Sequence, residues 1–135
     1  MRLVALIALA GAFLPGFKSP SGNISCFVVP GRPSVLRCQI VHADYAKSLQ
    51  ASCMKPDGSG VDWHGFELPG TGRGAVTCTS GILYNPDDHP RYVTLAYGHT
   101  WRLGVFTCRS RVTGVTCTNR RGHGLFISRQ TYRTF

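Results

Sequence analysis

Ile24-Ser-Cys-Phe-Val-Val-Pro-Gly-Arg-Pro-Ser-Val-Leu-Arg-Cys-Gln-Ile40 is the stretch that decides the fold. Folded back around Gly31-Arg32-Pro33, it sets Cys26 opposite Cys38, Ile24 opposite Ile40 and Val28 opposite Leu36. Side chains alternate between faces along a strand, so these six residues share one face. Ser25, Phe27, Val29, Val35, Arg37 and Gln39 share the other. The first face is wholly apolar, as a strand pair packing on a core requires, and it carries both sulfurs. A cross-strand disulfide is the expected result.

The same construction around Val112-Thr113 sets Cys108 opposite Cys117, with Phe106 and Val115 on their side. Its outward side then carries Val105, Thr107, Arg109, Arg111, Thr116, Thr118 and Arg120, with Arg121 adjacent. A three-residue loop ending at Gly114 is the competing register and would slip these positions. Spacing alone leaves six cysteines fifteen pairings. With two hairpins assigned, Cys53 and Cys78 pair by elimination across the turn-rich segment from Pro56 to Gly74.

Outward from these hairpins, Val61 to Leu68 reads as a strand with Trp63, Phe66 and Leu68 as core candidates. Tyr92 to Tyr97 and Trp101 to Arg109 read as two strands joined at Gly98-His99-Thr100. Val41 to Gln50 can hold a short helix. Leu125 to Phe135 is expected to add a final strand that returns Tyr132 and Phe135 to the core. A length of 135 residues suits one domain, and sixteen glycines and eight prolines suit strands joined by tight turns. The expected class is all-β, a small disulfide-stapled antiparallel sandwich or partly open barrel built from hairpins.

Met1-Arg2 and the apolar run from Leu3 to Leu14 are too short to cross a bilayer of roughly 30 Å as a helix. They have the parts of a signal peptide, with Ala10-Gly11-Ala12 as the small-residue cleavage pattern. The expected organisation is a signal peptide over residues 1–12, or a retained signal anchor, followed by one secreted β-rich domain over 13–135. An even set of cysteines fits that oxidising destination. Zinc does not fit the spacing, because no Cys-x-x-Cys and no Cys and His pair at finger spacing occur. No metal, no cofactor and no transmembrane span in the mature chain are expected.

Two longer stretches resemble the motifs of a family of small secreted actinobacterial proteins, a domain of unknown function. They are Phe17-Lys-Ser-Pro-Ser-Gly-Asn-Ile-Ser-Cys26 and Tyr97-Gly-His-Thr-Trp101-Arg-Leu-Gly-Val-Phe-Thr-Cys108. A third signature is similar in Gly114-Val-Thr-Cys117-Thr-Asn119, followed by Gly122-His-Gly-Leu-Phe-Ile-Ser-Arg129. The resemblance spans Phe17 to Phe135 and implies an exported bacterial domain with paired cysteines. It brings no catalytic residues. The leader is shorter than such proteins usually carry.

Charge is lopsided. Through Asp88 the chain holds seven Lys or Arg and six Asp or Glu, whereas from His89 to Phe135 it holds eight Arg and no acid. Such a field attracts anionic polymers, and the guanidinium fork suits oxyanions. Arg109, Arg111, Arg120 and Arg121 are therefore the anion-binding candidates. Against this, twelve Arg to three Lys is a ratio that a GC-rich genome produces unaided, and an exposed hairpin face must carry something polar.

The leading expectation is a non-enzymatic binding or structural module of the bacterial envelope, engaging an anionic polymer or envelope component. The alternative is a small secreted hydrolase with His123 or His99 as proton carrier, since His123 sits between two turn glycines. No phosphate loop, nucleophile elbow or nucleic-acid motif is present. Glu67 is the one glutamate, which leaves paired-carboxylate glycosidase chemistry resting on aspartates. Asn85-Pro-Asp87-Asp88-His89-Pro90 gathers oxygen ligands, yet prolines and an Asx turn explain it with less than a calcium site does. Trp63, Trp101, Tyr84, Tyr92 and Tyr97 are candidates for a saccharide groove, although aromatics in a small β domain more often belong to the core.

Overall fold

A computed structural model describes residues 15–78 and 92–135. The expected leader and the Asn85–Pro90 segment, with Tyr84 and His89, lie outside them. Among the described residues, eleven strands form two sheets, accompanied by one helix. The first sheet holds β1 (Gly16–Lys18), β2 (Ile24–Val29), β3 (Val35–Ile40), β4 (Trp63–Pro69), β5 (Ala75–Cys78) and β6 (Val93–Thr94), in the order β5-β4-β3-β2-β1-β6. The second is a meander of β7 (Thr100–Leu103), β8 (Phe106–Arg111), β9 (Gly114–Thr118), β10 (Gly124–Ile127) and β11 (Tyr132–Thr134). Helix α1 (Ala46–Cys53) bridges β3 and β4. Neither sheet closes on itself, so the architecture is a sandwich.

Both hairpin registers stand as the alternation of residues requires. Cys26 faces Cys38 and Val28 faces Leu36 across β2 and β3. Arg111 faces Gly114 across a two-residue turn, so Cys108 meets Cys117. The bridges are Cys26–Cys38, Cys53–Cys78 and Cys108–Cys117. Because one cross-strand bridge lies on the inner face of each sheet, the two meet in the middle: the sulfurs of Cys26, Cys38 and Cys117 lie within 4.8 Å of one another. Around them pack Phe17, Leu36, Phe66, Leu68, Phe106, Val115, Leu125 and Ile127, all buried. Trp101 reaches across to Phe17, with ring centroids 5.1 Å apart.

Four expectations need correction. The segment Trp101 to Arg109 is a hairpin, not a single strand, because Gly104 adopts φ +56° and turns the chain so that Leu103 faces Phe106. Glycine at the first central position of a two-residue loop is the usual device for such a turn. The strand expected from Tyr92 shrinks to Val93–Thr94 and pairs in parallel with β1 at the edge of the first sheet, so it has no ladder with β7, which lies in the second.

The helix begins at Ala46 and not at Val41. Asn23 holds His42 as a strand partner would, accepting its N–H at 2.8 Å and donating Nδ2–H to its carbonyl at 3.0 Å. The tail makes two strands, not one. Tyr132 joins the core against Phe66 and Tyr45, whereas the Phe135 ring lies over Gly124 and not in the core.

Tyr45 ties α1 to the second sheet. Its ring sits among Trp63, Phe66 and Tyr132, and its hydroxyl donates to the Ser128 carbonyl at 2.8 Å. Burial, with Tyr132 and Asp44 nearby, holds the phenol protonated well above its ordinary range. Trp63 is half-buried and donates its indole N–H to Gly65 O at 2.9 Å. Both tryptophans therefore serve the core.

Candidate anion-binding face

In the second sheet the residues that turn away from the sulfurs form continuous cross-strand rows. Thr100 pairs with Arg109, Arg109 with Thr116, Thr116 with Phe126 and Phe126 with Arg133, a row that crosses all five strands. Beside it, Arg102 pairs with Thr107, Thr107 with Thr118 and Thr118 with Gly124. Phe135 extends that second row by exchanging both backbone hydrogen bonds with Gly124. The face thus consists of arginines, threonines and two phenylalanines, and no acidic residue stands in either row.

Two glycines shape its floor. A side chain on Gly114 would strike the Phe126 ring, and one on Gly124 would strike the Phe135 ring. Each ring therefore lies against a position without a side chain, an arrangement that covers exposed backbone in the way aromatic residues rescue glycines in sheets. The Arg133 guanidinium stands 5.1 Å from the Phe135 ring centroid, within cation–π range.

Thr107, Arg109, Arg111, Thr113, Thr116, Thr118, Phe126 and Arg133 line an open concavity of about 500 Å³. A second, of about 520 Å³, adjoins it and shares Arg109 and Arg111, adding Tyr97, Thr100 and the exposed hairpin tip at Val112. Tyr97 is 48% exposed, which sets it apart from the buried Tyr92 among the described tyrosines.

Sequence reasoning places Arg109 and Arg111 correctly on one outward face. Strand β9 ends at Thr118, so Arg120 and Arg121 belong to the following turn and do not line the concavity. Arg102 and Arg133 were missed as members of the face. The alternation of Tyr132, Arg133 and Thr134 carried the signal, but it is readable only once β11 is paired with β10.

The histidines sit apart. His99 is exposed in the turn before β7, and its carbonyl accepts the Ser110 N–H at 3.1 Å. His123 is half-buried in the turn that Asn119 organises. Among the described residues, no hydrogen bond or ion pair joins either imidazole to a carboxylate.

Asn119 is the linchpin of that turn. Its amide donates to Pro69 O and Gly72 O, both at 2.9 Å, and its oxygen accepts from the N–H groups of Arg121 at 3.0 Å and His123 at 3.3 Å. One buried side chain thereby fastens the β9–β10 turn of one sheet to the β4–β5 turn of the other. Asn119, the last residue of the Gly114 to Asn119 signature, is thus scaffold. So is Ser19, whose hydroxyl accepts the Ile24 N–H at 3.0 Å in the β1–β2 connection.

Among the described residues, no helix is long and apolar enough to cross a membrane. No curated protein and no solved structure matches the chain. The family model that does match, over residues 2–135, describes a family of unknown function, DUF6636, and to that family the chain belongs.

Proposed function

We infer that the protein is an exported, non-enzymatic module of the cell envelope that binds an anionic ligand on the outer face of its second sheet. One observation carries this reading: Arg109, Arg111 and Arg133 line a single concavity on a face whose strand rows hold no acid. Threonine hydroxyls between the guanidinium groups add donors and acceptors without adding bulk. The three disulfides support an oxidising destination. The hydrolase alternative gains no support from His99 or His123.

The test compares two sets of substitutions on heparin-type resin. An Arg109→Ala, Arg111→Ala, Arg133→Ala triple variant is expected to elute at much lower salt than the parent, with the slope of log K against log salt smaller by roughly two to three. An Arg120→Ala, Arg121→Ala variant is expected to lose less than half as much. Equal loss per charge removed would mean that net charge alone drives binding, and the reading would fail.

A further inference from the structure

The geometry points to an acidic polysaccharide, lying across the strands, as the ligand of this face; this rests on the anion-binding reading and narrows it. Charge spacing favours such a ligand. Arg109 and Arg133 stand three strands apart in one row. At about 4.8 Å per strand that is roughly 14 Å between their backbones. Arg109 and Arg111 are two residues apart on β8, or about 7 Å. Duplex DNA presents a charge every ~1.7 Å of axis and single strands one every ~3.4 Å, far denser than these cations can match. A chain of sugars with one oxyanion on each ring, or on alternate rings, has the sparser charge that fits.

The residues that fill the intervals favour it as well. Between Arg109 and Arg133 the row presents Thr116 and the Phe126 ring. A sugar offers that pair an apolar C–H face and hydroxyls that both donate and accept. Thr107, Thr113 and Thr118 add three more hydroxyls to the same concavity. Exposed Tyr97 borders the adjoining concavity beside Arg109 and Arg111, so a ring platform stands on either side of the guanidinium pair. A single-stranded nucleic acid would call for a run of stacking rings along its path, whereas these rings are separated by arginine and threonine.

The experiment titrates the intact oxidised protein with polygalacturonate, neutral dextran, long-chain polyphosphate and oligodeoxythymidylate, matched in anionic groups where charged, at near-physiological salt. Polygalacturonate is expected to bind about tenfold or more tightly than polyphosphate or the oligonucleotide, and dextran not to bind. Tyr97→Ala, a change at an exposed side chain, is expected to weaken polygalacturonate binding about five- to tenfold while leaving polyphosphate binding unchanged. If polyphosphate or the oligonucleotide binds as tightly as polygalacturonate, or if Tyr97→Ala weakens all polyanions alike, the polysaccharide proposal is overturned while the anion-binding reading stands. If none of the polyanions binds, both fall.

Discussion

Complete reduction of the three disulfides is expected to abolish the cooperative thermal transition. Sequence separations of 12, 25 and 9 residues imply loop-closure contributions of roughly 3, 3.5 and 2.5 kcal/mol. Their sum, about 9 kcal/mol, rivals the whole stability of a typical domain, about 5–15 kcal/mol. The bridges also fill the centre of the core, so reduction leaves four thiols packed where two bonds had been.

The order of reaction follows from exposure. Cys78 is exposed at the end of β5, whereas Cys26, Cys38, Cys108 and Cys117 are at most 1% exposed. Mild dithiol is therefore expected to open Cys53–Cys78 first and to reach the central pair only as the domain opens. Near-UV circular dichroism alongside thiol titration reads both steps. A sharp melt retained with six free thiols would contradict the account.

Replacing Asn119 with alanine is expected to cost about 2–4 kcal/mol. Two carbonyls, Pro69 O and Gly72 O, lose their donor in a buried junction, and two backbone N–H groups lose their acceptor. A buried polar group left unpaired costs about 1–3 kcal/mol, and water entering the turn recovers part of that. For a domain of this size the melting temperature should fall by about 10–20 °C.

Asn119→Asp separates the two halves of the argument. Aspartate keeps the acceptor for Arg121 and His123 but sets a carboxylate oxygen against two carbonyls, so it should rescue little or nothing. A melting temperature within about 2 °C of the parent for either variant would show that the junction is not held as described.

The cysteine hairpins were legible because two periods agreed there. Apolar alternation and sulfur placement both demanded that Ile24, Cys26 and Val28 share a face with Leu36, Cys38 and Ile40, and that is their register. Trp101 to Arg109 misled because Trp101, Leu103 and Val105 alternate straight through Gly104; the turn shows only as the adjacent apolar pair Val105-Phe106, where the phase shifts and Leu103 comes to share a face with Phe106 three residues on. The helix start was hidden by a partner nineteen residues away, Asn23, which no local pattern reveals.

At the candidate site, Arg109 and Arg111 needed only one hairpin to be placed. Arg133, and the role of Phe126 and Phe135 over Gly114 and Gly124, needed the pairing of strands that carry no cysteine to mark their register. Arg120 was assigned by extending the alternation of β9 past Asn119, where the side chain turns inward to the junction and the strand ends.

The most direct test of the binding face maps it on the folded protein. Amide resonances of isotope-labelled protein, followed during titration with oligogalacturonate, should shift progressively at Thr107, Arg109, Arg111, Thr116, Thr118 and Phe126. Asn23, Gln39 and His64, which line a separate concavity beside the first sheet, should stay still. Shifts concentrated at those three residues, or scattered over both sheets in proportion to local charge, would contradict the account.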